Sequence, residues 1–365
     1  VAVKPARKEQ GQESPPSLRT IAEVREAGAA GLPPDLPAST YELLRRSAER
    51  TPDAPALSFF LEASSHRRLE NWTYRQLFGQ VTRFANALHG LGLKPGDVVA
   101  LLLPNLPEMH FALWGGEAAA IAMPLNPLLE PQALATLLRA AGAKALVTLA
   151  PFPGVDLYEK AVACLAEAPG VRDVLLVDLA SHVTGWKKPA AKLLALKARR
   201  AAPRMPASVR VREFAAAMRQ APADRLVNER QIRPEEIASY FCTGGTTGLP
   251  KIAAHSHRAE VADAWMTLRM VGSALDRNSK VYGGLPLFHV NAMMSTGLAP
   301  FLAGGHVVLG TPQGFRAPGL LDHFWEILAY HRITAFSAVP TLFSALLEHP
   351  TRGHDLSAFR YAFCG

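Results

Sequence analysis

The run VVALLLP at residues 98–104 most constrains what this chain can fold into. It has no polar alternation, so a strand built from it can leave neither face in water. Such strands belong in a parallel sheet covered by helices on both sides. The flanking sequence supplies the covers. TYRQLFGQVTRFANALHG sets Leu77, Val81, Phe84, Ala85 and Leu88 on one helical stripe, with Thr73 as N-cap and the Gly90/Gly92 region as its end. Pro95-Gly96-Asp97 turns the chain into the strand. NLPEMHFALWGGEAAAIA predicts the next helix, with a short strand near Met123 to Leu125. PQALATLLRAAGAKALVTL then repeats helix and strand, and DVLLVD near residue 175 continues the series. Strands alternating with helices predict an α/β fold with a largely parallel sheet.

The same alternation is legible on either side. STYELLRRSAERTP predicts a helix capped by Ser39 or Thr40, and ALSFFLE a strand. After residue 239, SYFCT and KIAAHS read as strands flanking a glycine-rich loop. HRAEVADAWMTLRMVGSAL follows as a helix capped by Ser256, with Trp265, Met266 and Met270 expected in the core and Trp265 also a candidate for the border of a substrate tunnel. KVYGGLPLF, GGHVVLG and AFSAVP read as further strands, with helices over LLDHFWEILAYHRIT and TLFSALLEHP. Residues 281–315 contain no Asp, Glu, Lys or Arg. Gly, Pro, His and Asn break that stretch into lengths suited to buried core elements rather than to a bilayer span.

The net charge of +8 over 365 residues is local in origin. Residues 186–219 hold ten cations against the single acid Glu213, a surplus larger than that of the whole chain. The stretch is expected to interrupt the alternation. Its leucines between cationic turns are open to two readings, a solvated charged face or an interfacial helix at a membrane surface over about residues 186–212. Nucleic acid is set aside, because no aromatic residues interleave the cations beyond Trp186. Residues 1–38 are polar and Pro-rich and read as an extension or a wrapping arm. No apolar leader segment is visible. Cys164, Cys242 and Cys364 lie far apart, which fits a reducing, cytoplasmic compartment, and Cys242 and Cys364 are expected to pack as small hydrophobes. No sequence feature sets an oligomeric state.

The densest glycine cluster is YFCTGGTTGLPKIAAHSH at residues 240–257. Glycines let backbone N–H groups approach an anion, threonine hydroxyls add donors, and Lys251 adds a point charge. The spacing is not that of a P-loop, because Leu249 and Pro250 separate Gly248 from Lys251 and a strand follows. His255 and His257 have no third ligand nearby in sequence. No metal site is assigned, and Ser256 as a helix cap is the role expected there.

The TGGTTGLPKI stretch resembles the phosphate loop of the adenylate-forming superfamily, with Gly244 and Ile252 departing from the family's usual serine and glycine. NWTYRQL, GLKPGDVVALLLPNLPEM, GGEAAAIAMPLNP, LPLFHV, LAGGHVVL, AVPTLFSALL and FRYAFCG are similar to further family segments in the family's order, over about residues 40–365. The resemblance implies the family's large N-terminal domain, mostly parallel sheets layered with helices, over residues 39–365, with a basic insertion at about 186–222. It also implies that the family's mobile C-terminal domain, with its catalytic lysine, is not part of this sequence. This portion alone is then expected to be poorly active.

By the same resemblance, the chemistry is ATP-dependent activation of a carboxylic acid, a fatty acid favoured, to acyl-AMP and pyrophosphate, with transfer to the thiol of coenzyme A and magnesium on the phosphates. Thr243, Gly244, Gly245, Thr246, Thr247, Gly248 and Lys251 would cradle the β- and γ-phosphates. Thr246, Thr247, Lys251 and His289 would be the catalytic set, and Gly365 would open the adenine-binding loop. Two readings of His289 stand side by side, a residue beside the carboxylate and a hydrogen-bonded core histidine at a strand end. Two other functions remain open: the same fold loading another acid or a carrier-protein thiol, and a non-catalytic nucleotide-binding module.

Overall fold

The alternation of strand and helix is realised as two sheets. The structure is a computed structural model that describes residues 17–243 and 250–365. Its strands are β1 (Pro55–Phe59), β2 (Glu70–Thr73), β3 (Val98–Leu102), β4 (Ile121–Pro124), β5 (Ala143–Leu149), β6 (Asp173–Val177), β7 (Arg210–Glu213), β8 (Ile237–Thr243), β9 (Lys251–Ser256), β10 (Lys280–Gly283), β11 (His306–Leu309), β12 (Ala335–Ala338) and β13 (Tyr361–Cys364). The seven-stranded sheet runs β7-β6-β5-β3-β4-β8-β9 and the six-stranded sheet β13-β12-β10-β11-β1-β2. Every pairing is parallel except one at an edge of each sheet, β8 with β9 and β1 with β2. β3 sits between β5 and β4, and all five of its residues are buried, as its unbroken apolar run requires.

The helix Pro107–Ala119 is the layer between the sheets. It contacts β1 of one sheet and β3, β4 and β8 of the other, and all of its residues except Glu108 are buried. A helix covered on all sides carries no apolar stripe, and this one shows none. Gly115 is needed for its packing against the helix Tyr74–Gly90. A Cβ there would lie 2.5 Å from the Val81 carbonyl oxygen and 2.9 Å from the Phe84 Cβ. Thr73 caps that second helix as expected, with Gln76 completing a capping box.

Several boundaries differ from the sequence reading. The strand expected near Met123 starts two residues earlier, at Ile121. A helix at Leu157–Ala166, not foreseen, makes the crossover between β5 and β6. The basic stretch continues the alternation instead of interrupting it. It forms the helix Lys188–Ala201, then β7, whose Arg210 and Arg212 lie against Asp173 of β6, then the helix Phe214–Gln220. High charge hid β7, because an edge strand is solvated and needs no apolar run. The described part of the N-terminal extension includes the helix Ile21–Ala29, which buries none of its residues. Ser17 and Leu18 tether it by hydrogen bonds to the carbonyls of Val271 and Met270. Among the described residues no helix is long and apolar enough to cross a membrane.

One buried charge cluster joins the two sheets. His182, just after β6, is held between Glu70 of β2 at 2.9 Å and Glu108 of the central helix at 3.2 Å. Burial opposes the imidazolium, but the two carboxylates outweigh it, Glu108 more than Glu70, and push the ring up to about 10. That is above the unfolded value of ~6.5, so the charge stabilises the fold in full below ~pH 6.5 and the effect is lost as pH rises through about 10. The unfolding midpoint should therefore fall more steeply above neutral pH in the wild type than in His182→Gln. Parallel curves in a thermal-melt pH series would show that the bridge carries no charge.

Candidate active site

The glycine loop's two ends are set by the β8–β9 hairpin. Thr243 and Lys251 are directly paired across it, and the Thr243 hydroxyl donates to the Lys251 carbonyl at 3.4 Å. Both side chains are exposed, and among the described residues no carboxylate lies within ion-pair distance of Lys251. The expected phosphate donors Gly244, Gly245, Thr246, Thr247 and Gly248 lie outside the described residues. Strand alternation puts Lys251, Ala253 and His255 on one face of β9. His255 stacks on Phe241 with ring centroids 5.2 Å apart.

His255 opens onto a cleft of about 480 Å³. One wall is the helix His257–Val271, through Glu260, Asp263 and Thr267. The other is the segment carrying Val290, Asn291 and Met294. Ser256 caps the helix, its hydroxyl accepting from the Ala259 N–H at 3.2 Å. Residues 294–298 form a π-helical turn, a local widening that recurs at functional sites. Gly365 reaches the same place from the end of β13. A Cβ on it would lie 3.6 Å from the Asn291 side-chain nitrogen, and its N–H donates to the Ala338 carbonyl. Val290 and Met294 offer apolar surface, and His255, Glu260 and Asp263 a polar side.

His289 holds the N-cap position of the short helix Val290–Met293, without a side-chain capping bond, next to Val290 of the cleft wall. It is exposed, so the core-histidine reading fails, and partial burial moves its ring below the usual histidine value. Its position depends on Asn105, a buried residue just beyond β3. The Asn105 side chain donates to the Leu285 carbonyl at 2.8 Å and accepts from the Leu287 N–H at 2.9 Å. Its own N–H donates to the Pro312 carbonyl at 3.0 Å. Gly314, at φ +56°, completes this corner. A Cβ there would meet the Gly284 oxygen at 2.2 Å and Asn105 at 3.1 Å.

Beneath the cleft lies a buried polar cluster. Glu260 accepts from the Ser239 hydroxyl and approaches His255 at 3.7 Å. Its other neighbour is Glu117 of the central helix, which accepts from the Thr40 hydroxyl. Burial, then the charge of Glu260, push the Glu117 carboxyl well above the usual carboxylate range. Asp263 is raised by the same causes in the same order. Burial also lowers the ring of His257, 3.3 Å from the Thr40 hydroxyl, to about 4. A neutral His257 keeps an unpaired buried cation out of this cluster.

Of the residues read from the sequence, Lys251 and Thr243 end the hairpin, and His289 and Gly365 border the segment that carries Asn291. His255 lines the cleft, a place the sequence reading did not give it. Asn105, Glu117, Glu260, Asp263 and Asn291 were not foreseen. Glu260, Asp263 and Thr267 share a helical face at i, i+3 and i+7 spacing, a pattern that in sequence reads as a solvent face. Met266 and Met270, expected in the core, are exposed, and Trp265 is half-buried. Cys364 is exposed at the edge strand β13, not packed as a hydrophobe, whereas Cys242 is partly buried and its thiol is pushed up to about 11 by burial. Among the described residues no group of three or more His, Cys, Asp or Glu is arranged to hold a metal.

The AMP-binding enzyme family matches residues 44–365. The marinolic acid–CoA ligase of Pseudoalteromonas sp. (strain SANK 73390) is 32% identical over 96% of this chain and 50% of its own length. The long-chain-fatty-acid–CoA ligase of Salmonella typhimurium is 31% identical over 88% and 54%. The chain thus spans about half the length of the curated relatives it matches. Two solved structures share the fold. The anthranilate CoA ligase AuaEII, in complex with anthranoyl-AMP, has a TM-score of 0.70 at 22% identity, covering 92% of this chain and 56% of that one. The N-terminal domain of FACL13 from Mycobacterium tuberculosis has a TM-score of 0.63 at 22% identity, covering 90% and 69%.

Asn105→Ala should leave the Leu285 carbonyl and the Leu287 N–H without partners. The expected cost is ~2–4 kcal/mol, read as a lowered denaturant midpoint. An unchanged midpoint would mean that the segment is held elsewhere.

Proposed function

This chain belongs to the AMP-binding enzyme family, and we propose that it carries the ATP- and acid-binding site of an acyl-CoA ligase acting on a fatty acid. The carboxylate oxygen attacks the α-phosphorus of ATP, the bond to the β-phosphate oxygen breaks, and pyrophosphate leaves with the electron pair. The thiol of coenzyme A then displaces AMP from the acyl carbon. Neither step needs a side-chain nucleophile. Both need like charges gathered and the growing charge on the leaving group stabilised.

One observation carries this reading. The hairpin that ends in Thr243 and Lys251 also presents His255 to a cleft whose far wall, through Asn291, adjoins Gly365. Lys251, an exposed cation on the His255 face of β9, would neutralise the β- and γ-phosphates with Thr243 and residues 244–248. Gly365 would lie against the base, and His289 would stand at the carboxylate. The acid's apolar body would follow Val290, Met294 and Ala259. Magnesium fits such a site without a protein cage, because it is held largely by phosphate oxygens and water, and it would shield the phosphates. On this reading residues 39–365 are the adenylation domain, and the reaction is cytoplasmic, in keeping with three free cysteines. The name of the Salmonella typhimurium relative favours a fatty acid over a small aromatic one.

Pyrophosphate release by the whole protein, with Mg-ATP and a panel of acids, tests the reading. Release should depend on a fatty acid, and acyl-CoA should appear when coenzyme A is added. Activity confined to non-fatty acids, or transfer to a carrier-protein thiol in place of coenzyme A, would redirect the substrate assignment. ATP binding without release for any acid would make the site a nucleotide-binding module. Lys251→Ala should lower release by about 10²-fold or more, the scale of losing one strong transition-state donor. A rate unchanged by that substitution would remove Lys251 from the site.

A further inference from the structure

The helix Lys188–Ala201 has an unusual division of labour. Its packing on the protein uses small side chains only. Ala191 and Ala195 are its buried residues, set against Ala180, Phe152 and Val183. Its large apolar residues point away, with Leu193, Leu194 and Leu196 exposed at 54%, 48% and 46%. Trp186, in the turn just ahead, is 83% exposed, whereas the other four tryptophans are buried or half-buried.

At 100° per residue, Ala191 and Ala195 define the inner side of this helix. Leu193, Leu196 and Arg200 then lie on the opposite side. Lys197 flanks that crest on one edge and Lys192 on the other. Some of the local charge is already matched: Lys187 pairs with Glu62, Arg199 with Glu213, and Arg210 with Asp173. Among the described residues, Lys188, Lys192, Lys197, Arg200, Arg204 and Arg219 have no carboxylate within ion-pair distance. Three of these unmatched cations, Lys192, Lys197 and Arg200, lie beside the exposed leucines.

We propose that this helix, with Trp186, is a docking surface for an anionic lipid bilayer. Leu193 and Leu196 enter the boundary between headgroups and acyl chains, Trp186 sits at headgroup level, and the lysines and Arg200 reach lipid phosphates. A merely solvated face does not require leucines at its crest. A nucleic-acid surface would pair its cations with stacking aromatics, and Trp186 is the one aromatic residue in the helix and its preceding turn. The proposal concerns a face that shares no residue with the cleft, so it stands apart from the choice of acid.

Co-sedimentation of the whole protein with vesicles tests it. Binding should be strong to vesicles of phosphatidylcholine with one-third phosphatidylglycerol and weak to phosphatidylcholine alone. Vesicle binding should shift the Trp186 emission to the blue, a change lost in Trp186→Phe. Lys192→Gln with Lys197→Gln should weaken binding about 30-fold, from ~1 kcal/mol per surface cation. Leu193→Ser with Leu196→Ser should weaken it without altering its salt dependence. All four positions are exposed, so the melting midpoints should stay at the wild-type value, and pyrophosphate release with a soluble acid should be unchanged. Equal binding to both vesicle types, binding unaffected by either double variant, or binding to duplex DNA but not to vesicles would each overturn the proposal.

Discussion

The side chain of Asn105 holds the two sheets in the relation the site requires. It stands just past β3, a strand buried on both faces, and grips the backbone that leads from β10 toward His289. A carboxamide can donate and accept at once, so it can replace the ladder bonds that the chain loses on leaving a sheet. The clamp works at short range only because Gly284 and Gly314 let the backbone close around it. The cleft wall through Val290, Asn291 and Met294 starts from that corner, as does the capping position of His289.

The opposite wall depends on a different balance. The helix His257–Val271 is anchored from below by carboxyls and hydroxyls rather than by a full apolar face. Glu260, Glu117, Ser239, Thr40 and His257 meet in a region almost closed to water. Two ionised carboxylates there would repel strongly, and burial together with the charge of Glu260 raises the Glu117 carboxyl toward its neutral form. The cluster ties the helix that begins at Thr40 and the central helix to the hairpin that carries Lys251. The polar side of the cleft is therefore continuous with the interior and is not a decoration of the surface.

Much of the architecture was legible in the residue order. An unbroken apolar run marked β3, the repeat of helix and strand marked β5 and β6, and the caps Ser39, Thr73 and Ser256 lie where side-chain chemistry puts them. The elements that escaped detection have common physical causes. β7 is charged because it is an edge. The helix Leu157–Ala166 lies in a stretch without a strong cap, and its N-terminal Asp156 makes no side-chain capping bond. Met266 and Met270 misled because apolar identity does not state which side of a helix is covered.

The sequence by itself determined the α/β class, the order of the elements, the family resemblance, and the two strands that flank a glycine-rich loop between Thr243 and Lys251. These follow from local rules, since periodicity, capping and turn chemistry act over a few residues. Tertiary structure alone decided that His255, Glu260, Asp263 and Asn291 line one cleft and that Gly365, far along the chain, lies beside Asn291. It also decided that Glu117 faces Glu260 and that the leucines of the basic helix turn outward. Each of these is a long-range encounter set by how two sheets and the helix between them stack. No local pattern in the chain encodes which distant residue will stand opposite.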